Sequence, residues 1–377
     1  MLIVDRYILR QFVQTFAICF CSLTGLYFVI DAFGNLEEFI NYSKDHGGLL
    51  SVMGEYYAYR TLWFFDRTGG ILTLISAMFT VTWLMRHNEM TALEAAGLSK
   101  ARIVRPVIAA VVAIALLGLV NRELAIPAAR DVLSKNAQDL AGKAAKRFNP
   151  VWDFRTDIQL TGTEALADQQ RISKPSFVLP AGLDDYGKQL VAKEAFYRRA
   201  SDRKPAGYLL VGVERPIDLD RQPSLELKGR TVVFTPADTP WLKPGECFVA
   251  SDVDFQQLVG GDAWRQLASS PELIRSLRNP SLNLPAGVRV AVHSRLVQPV
   301  LDVTLLFLGL PLVLARGNRN VFVAIGLCGA LAMAFMLVVL GCQYLGTNYL
   351  LAPALAAWLP VMIFVPWAAF VAGPLVE

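Results

Sequence analysis

Between residues 320 and 376 there is not one Asp, Glu, Lys or Arg. Charge is equally missing from 11–30, 68–85 and 106–121, and 296–315 carries only Asp302. Helices of that length exposed to water need charge on their outer face, so these runs exclude an ordinary soluble domain. Each is about long enough to cross a hydrocarbon core of roughly 30 Å. The last is too long for one crossing and turns at Gly341, Gly346, Asn348 and Pro353. Composition agrees, with 54% hydrophobic and 18% charged residues in a chain of 377 and a mean hydropathy of +0.40. The reading is six spans, at about 11–33, 62–85, 103–126, 293–315, 321–345 and 350–372. The first is expected to remain as an anchor. Its apolar core exceeds the roughly 7–15 residues of a signal peptide, and Phe33-Gly34-Asn35 is a poor cleavage site.

Cysteine and histidine are also scarce. Four of the five cysteines, Cys19, Cys21, Cys328 and Cys342, fall in spans, and Cys247 alone lies outside them, so no internal disulfide is expected there. The three histidines, His46, His87 and His293, are far apart in sequence. There is no GxxxxGK[ST], HExxH, CxxC or GxSxG motif. Zinc chemistry and a Ser–His nucleophile are unsupported, and neither catalysis nor a cofactor is expected. Asp302 stands inside an apolar run, but Gln298, Pro299 and Arg295 nearby suggest a polar, protein-facing outer end rather than a proton relay. Asp66 and Arg67 start the second span and read as anchors that pair or reach the interface by snorkelling.

The basic residues give an orientation. With the N-terminus inside, the inner segments hold Arg6, Arg10, Arg86, Lys100, Arg102, Arg105, Arg316 and Arg319, against Lys44 and Arg60 in the short outer loops. Both termini are then cytoplasmic and the long middle segment lies outside. The net charge of +4 reports this topology rather than a nucleic-acid partner.

That middle segment is polar and rich in Pro and Gly, with short β-type runs at 157–161, 176–179, 189–197, 207–215, 224–227, 230–235 and 246–250. Their spacing suggests a sandwich or open barrel filled by Phe196, Tyr208, Leu210, Val233, Phe234, Trp241 and Phe248. An ordinary packed core is the first explanation of these residues; an acyl-chain groove needs further evidence. Residues 262–277 read as one helix leading back to the membrane.

One short cytoplasmic stretch remains, RHNEMTALEAAGLSKARIVRP at 86–106. Asn88 suits an N-cap, Glu89 a first turn where the helix dipole favours a carboxylate, and Gly97 a left-handed stop. The spacing predicts a helix from Glu89 to Ala96, with Glu89, Ala92, Leu93 and Ala96 on one face and Ser99 capping the next span. So short a helix must dock to be stable. It could dock on its own spans or on another protein.

Three stretches now stand out together: Asp5-Arg6-Tyr7, the segment NEMTALEAAGLS at 88–99, and Gly309-Leu310-Pro311-Leu312. They resemble the permease subunits of the lipopolysaccharide exporter, the LptF/LptG family. The resemblance implies an α+β membrane protein, six transmembrane helices with a periplasmic β-jellyroll-like domain between the third and fourth. Its expected parts are membrane half 1 at 1–127, the jellyroll at 128–288 and membrane half 2 at 289–377. The implied partners are a cytosolic ABC ATPase dimer, a paralogous permease subunit and a periplasmic bridge protein, and the implied place is the bacterial inner membrane. The cargo is lipopolysaccharide or a related glycolipid. Carried over, Glu89 contacts an ATPase arginine, with Asn88, Leu93 and Gly97 in the same coupling helix (about 88–97), and Lys44, Phe196, Phe234 and Phe248 are candidates for lipid. Where members often carry a basic cluster after the first span, this sequence reads Asp31-Ala32-Phe33-Gly34-Asn35-Leu36-Glu37-Glu38, with Lys44 beyond it. The alternative is a non-transporting envelope protein whose outer β domain binds a ligand or scaffolds a complex; recruitment of an ATPase separates the two.

Overall fold

The computed structural model describes residues 3–44, 47–135, 137, 146–147, 150–166, 169–180, 187–201, 204–227, 229–315 and 321–376. The expected inner basic pair Arg316 and Arg319 lies outside them. The chain forms two compact units: one of Met1–Leu36, Gly47–Ala129 and Pro285–Glu377, the other of Glu37–His46 and Arg130–Leu284.

Among the described residues, six helices are long and apolar enough to cross a membrane. They are α1 (Ile3–Gly34), then, after the short α2 (Leu36–Ser43), α3 (Leu49–Arg86), and, after α4 (Glu89–Ala95), α5 (Lys100–Val120). The third of these continues through a π turn (Asn121–Ala125) into α6 (Ile126–Ala128). Proline at 127 has no N–H to return to the carbonyl four residues back, which accounts for a ladder that slips register here. The short α7 (Arg130–Leu133) opens the second unit.

Helices α3 and α5 bury Leu74, Met78, Val81, Ile103 and Val107 against Ile8 and Phe12 of α1 and against Leu305, Leu306 and Leu310 near the fourth crossing's middle. Buried hydroxyls of Thr73, Ser76 and Thr80 donate to the carbonyls of Gly69, Leu72 and Ser76 at 2.6, 2.7 and 2.8 Å, so no polar atom of theirs faces hydrocarbon unpaired. Gly309 explains part of its motif. A Cβ there would sit 2.6 Å from Met78 Cε and 3.0 Å from Leu74 Cδ1, and close helix approach needs small residues when lipid supplies no driving force.

The second unit is an antiparallel sheet built from β1 (Lys146–Arg147), β2 (Val151–Asp153), β3 (Ile158–Leu160), β4 (Glu164–Leu166), β5 (Arg171–Ser173), β6 (Ser176–Val178), β7 (Gln189–Arg198), β8 (Gly207–Arg215), β9 (Leu225–Leu227), β10 (Arg230–Phe234) and β11 (Glu246–Ala250). Its main order is β1-β4-β5-β7-β8-β11-β10-β9, with β2, β3 and β6 joined to it through β7. Strand β7 is the organiser, because β6 pairs along its first half, β5 along its second and β8 on the other edge. The β7–β8 ladder shifts register between Val191 and Ala192. One position beyond that shift, opposite Lys193, Gly212 sits at φ +68°, a value that favours glycine. The longer runs read from sequence are these strands; β1, β2, β4 and β5 are additional.

The helical stretch read at 262–277 is preceded by a further segment and is interrupted, α8 (Phe255–Leu267) breaking at Gly261 (φ 46°), just before the start read from sequence. α8 starts on a capping box of Asp254 and Gln257, and α9 (Ser270–Leu277) on one of Ser269 and Glu272, so each Ser/Asp-x-x-Glu/Gln signal marks its own start. α8 lays Phe255 and Leu258 on the sheet core with Tyr208, Leu210, Val233 and Val249. The Tyr208 hydroxyl donates to the Val253 carbonyl at 2.9 Å. The chain returns to the first unit through α10 (Ala286–Ala315), α11 (Val321–Thr347) and α12 (Pro353–Val376). Phe335 of α11 meets Phe364 of α12 at 4.5 Å between ring centroids.

Candidate functional site

The link from α3 to α4 is only His87 and Asn88, and this brevity fixes the backbone. Asn88 adopts φ 58°, the left-handed conformation that asparagine tolerates better than most residues, and its carbonyl accepts from the Ala92 N–H at 3.0 Å. Its side chain makes no capping bond, so the expected N-cap role falls to the backbone alone. The far end closes as a Schellman motif. The Leu98 N–H donates to the Leu93 carbonyl at 3.1 Å and the Gly97 N–H to that of Glu94 at 2.9 Å, with Gly97 at φ +87°. Leu93 and Leu98 both pack on the membrane core, the apolar contact that accompanies this motif. Ser99 then caps α5, accepting from the Arg102 N–H as its sequence position suggested.

Docking divides the α4 surface differently from the spacing. Met90 is buried and Leu93 half-buried against the core, whereas Thr91, Ala92, Glu94, Ala95 and Ala96 are exposed. Leu93 thus anchors the helix to its own chain, and the outward face is small and nearly uncharged. Glu89 lies at the border, half-buried. The Tyr7 hydroxyl of α1 donates to its carboxylate, 3.1 Å from Oε1 and 3.0 Å from Oε2. Nearby, Arg102 holds Asp5 through two bonds of 2.9 and 3.0 Å. Neither link was foreseen. The only sequence signal was that Asp5 and Tyr7 stand together in one of the three stretches carrying the resemblance.

The four lipid candidates fall into two places. In register across β7, β8, β11 and β10 stand Phe196, Leu209, Phe248 and Phe234. The neighbouring row, Tyr197, Tyr208, Val249 and Val233, belongs to the sealed core. Alternation therefore puts the phenylalanines on the opposite face. There Phe234, Phe248 and Trp241 form a cluster with centroids 5.3 to 6.1 Å apart, and Lys204 Nζ lies 4.2 Å from the Trp241 ring centroid. The sequence had assigned both rows to one interior. Lys44 is elsewhere in the second unit and donates to Asn41 Oδ1 on its own helix at 3.1 Å.

Inside the membrane unit an ion pair joins α3 to the π turn, and other polar groups are satisfied within and between helices. Asp66 lies well within α3, not at its start, and meets Arg122 of the π turn at 3.3 Å. Asn121 donates to the Leu62 carbonyl at 2.9 Å, and Gln298 donates to Asp302 at 2.9 Å. A Cβ on Gly70 would lie 2.6 Å from Asp302 Oδ1, so the glycine admits that carboxylate between α3 and α10. The polar, protein-facing reading of Asp302 fits this placement. Of the two roles expected for Asp66, pairing is the one the structure places, in a half-buried ion pair, and the residue is not at the helix start because α3 extends back to Leu49. Near the first helix's end, Asp31 accepts from the Tyr57 hydroxyl at 2.9 Å, and Glu37 and Glu38 open α2, so this region is acidic rather than basic.

Six apolar helices, an antiparallel β domain inserted after the third and a short capped helix between the second and third define a multi-pass membrane protein. The chain belongs to the LptF/LptG family: the model for the lipopolysaccharide export system permease LptF/LptG matches residues 6–151 and 220–373. No curated protein gives a significant match. The match includes Tyr7, all of α4, Phe234 and Phe248 but leaves Phe196 outside. Membership makes the chain a permease subunit of a lipopolysaccharide export system, a transporter component of the inner membrane.

Proposed function

We propose that the chain is one of two paralogous membrane subunits driven by a cytosolic ABC ATPase dimer, and that α4 is the element through which the ATPase acts. The observation that carries this is the geometry of α4: a helix too short to persist alone, closed at its C-terminal end by a Schellman motif, pinned on one side by Met90 and Leu93, and offering an outward face of Ala92, Ala95 and Ala96 beside the Glu89 carboxylate. Small residues let a partner surface approach, and a carboxylate at the border can take a bidentate arginine. Lipopolysaccharide or a related glycolipid is extracted from the inner membrane and passed over the β domain, on the outer side, to a bridge protein, with both termini in the cytoplasm. Phe196, Phe234 and Phe248 are the contacts assigned to acyl chains, and Lys44 to an anionic group.

Purification in mild detergent tests this. The ATPase is expected to co-purify with the wild-type chain and to be lost with Glu89→Lys, since breaking a charge pair at a partly buried interface costs about 2–5 kcal/mol. An arginine-to-glutamate change on the ATPase should restore part of the binding. Unchanged association and export by Glu89→Lys would remove the coupling role.

A further inference from the structure

Helix α1 is held unevenly. Along its apolar span little is buried within this chain; its buried residues are Ile8, Phe12 and Thr24. Its far end is held to α3 through Asp31 and Tyr57, and its first turns are tied to the coupling region at two points. Tyr7 reaches Glu89, the first residue of α4, and Asp5 reaches Arg102, near the start of α5. These two partners bracket the whole turn from α4 into α5. Residues two apart on a helix project about 200° from one another, so Tyr7 and Asp5 grip different elements rather than the same one twice. Ile8 and Phe12 seat the same end of α1 in one core with Met90 and Ile103.

We propose that Tyr7 and Asp5 form a two-point clamp that fixes the base of α1 to the coupling element, with Tyr7 as a positioning residue that sets the direction of the Glu89 carboxylate. A carboxylate accepts at about four lone-pair sites. One phenolic hydroxyl shared between its two oxygens leaves room for a partner's guanidinium while removing rotamers that point elsewhere. The clamp also means that a displacement of α4 is delivered to α1, whose span is the least buried of the six among the described residues, and not only to the helices contiguous with α4. The transmission part rests on the coupling role proposed for α4; the clamp itself does not.

The experiment uses the full chain, with a nitroxide on Ala92→Cys in a background lacking Cys19 and Cys21, alone and reconstituted with its ATPase in nanodiscs. Tyr7→Phe removes only the hydroxyl. It is expected to increase nitroxide mobility in the chain alone and to weaken ATPase affinity, though by less than Glu89→Gln does. Lipid released per ATP hydrolysed should fall about tenfold, the scale of one hydrogen bond to a charged group. Combined with Glu89→Gln, the losses should not add. Asp5→Asn should loosen the label by itself and more so with Tyr7→Phe. Unchanged mobility in Tyr7→Phe overturns the clamp, and raised mobility with lipid per ATP unchanged overturns its transmission role. A wild-type chain that binds no ATPase defeats the coupling proposal instead, and the mobility measurement still decides the clamp.

Discussion

The β unit packs Ile158, Leu160, Phe177, Leu190 and Val249 without exposure, whereas the membrane unit sets Asp66, Arg122, Arg295 and Asp302 between its helices. The contrast follows from solvent. Water drives the apolar side chains of the sheet together at roughly 25 cal/mol per Å², and the one carboxylate fully buried there among the described residues, Asp153, is satisfied locally by the Ser251 hydroxyl and the backbone N–H groups of Arg155 and Thr156. Lipid tails are as apolar as leucine, so helices in a bilayer gain nothing by merely hiding leucine from them. Close approach at Gly309 and Gly70, hydroxyls returned to their own backbone and polar links from helix to helix supply specificity there. One unit is thus most sensitive to lost volume, the other to a lost partner.

The strongest way to break that comparison is Phe177→Ala. Phe177 is fully buried and meets Tyr208 edge to face at 5.9 Å, so truncation should destabilise the β unit by about 3–5 kcal/mol. Cys247 supplies the readout. Its thiol is fully buried, and burial pushes it up to about 12, so at pH 8 it is neutral and shielded. Maleimide should label it only on opening of the domain, and Phe177→Ala should bring labelling to a clearly lower urea concentration. Labelling at the wild-type urea concentration would show that the sheet core is not limited by packing.

Next in size is Arg122→Met, which leaves the Asp66 carboxylate without its partner between helices. The expected loss is about 3 kcal/mol in detergent unfolding, most of it recovered when Asp66→Asn is added, because removing both charges also removes the stranded one. If the single and double variants unfold alike, the pair is not what orders α3 against the π turn. The apolar packing would then have to carry the membrane unit too, and the contrast between the units would fail.

The same division of causes decides what could be read beforehand. Charge-free runs locate the crossings because hydrocarbon tolerates little else, and β7, β8, β10 and β11 show in the sequence because each alternates over enough residues to reveal a face. The strands β1, β2, β4 and β5 went unread; β3, β6 and β9 are as short but were read from the β-type runs around them, so length alone does not decide legibility. Asp66 was misplaced because the helix continues past a charge once the charge has a partner on another helix. Alternation was also the cue that the phenylalanine row faces away from Tyr208, but it needs the register of four strands together. Within α4, Gly97 and Ser99 were legible since their roles are local. Leu93 and Tyr7 were not, since docking and an 82-residue separation decide them.

The smallest expected effect sharpens the contrast within a single helix. Glu94 lies about 140° around α4 from Glu89. It is exposed and reaches Lys100 only at 4.0 Å, with side-chain exposures of 36% and 48%. Such a pair exchanges one hydrated state for another, so Glu94→Ala should change stability by no more than about 0.5 kcal/mol. Glu89 differs in having a hydroxyl committed to it and a half-buried setting. The two positions carry the same functional group on the same seven-residue helix, so helix propensity and net charge change alike in Glu89→Ala and Glu94→Ala. Any difference in ATPase co-purification between them then reports position alone. Equal losses would mean that the helix acts through its overall charge, and the case for a directed Glu89 contact would fall with the distinction.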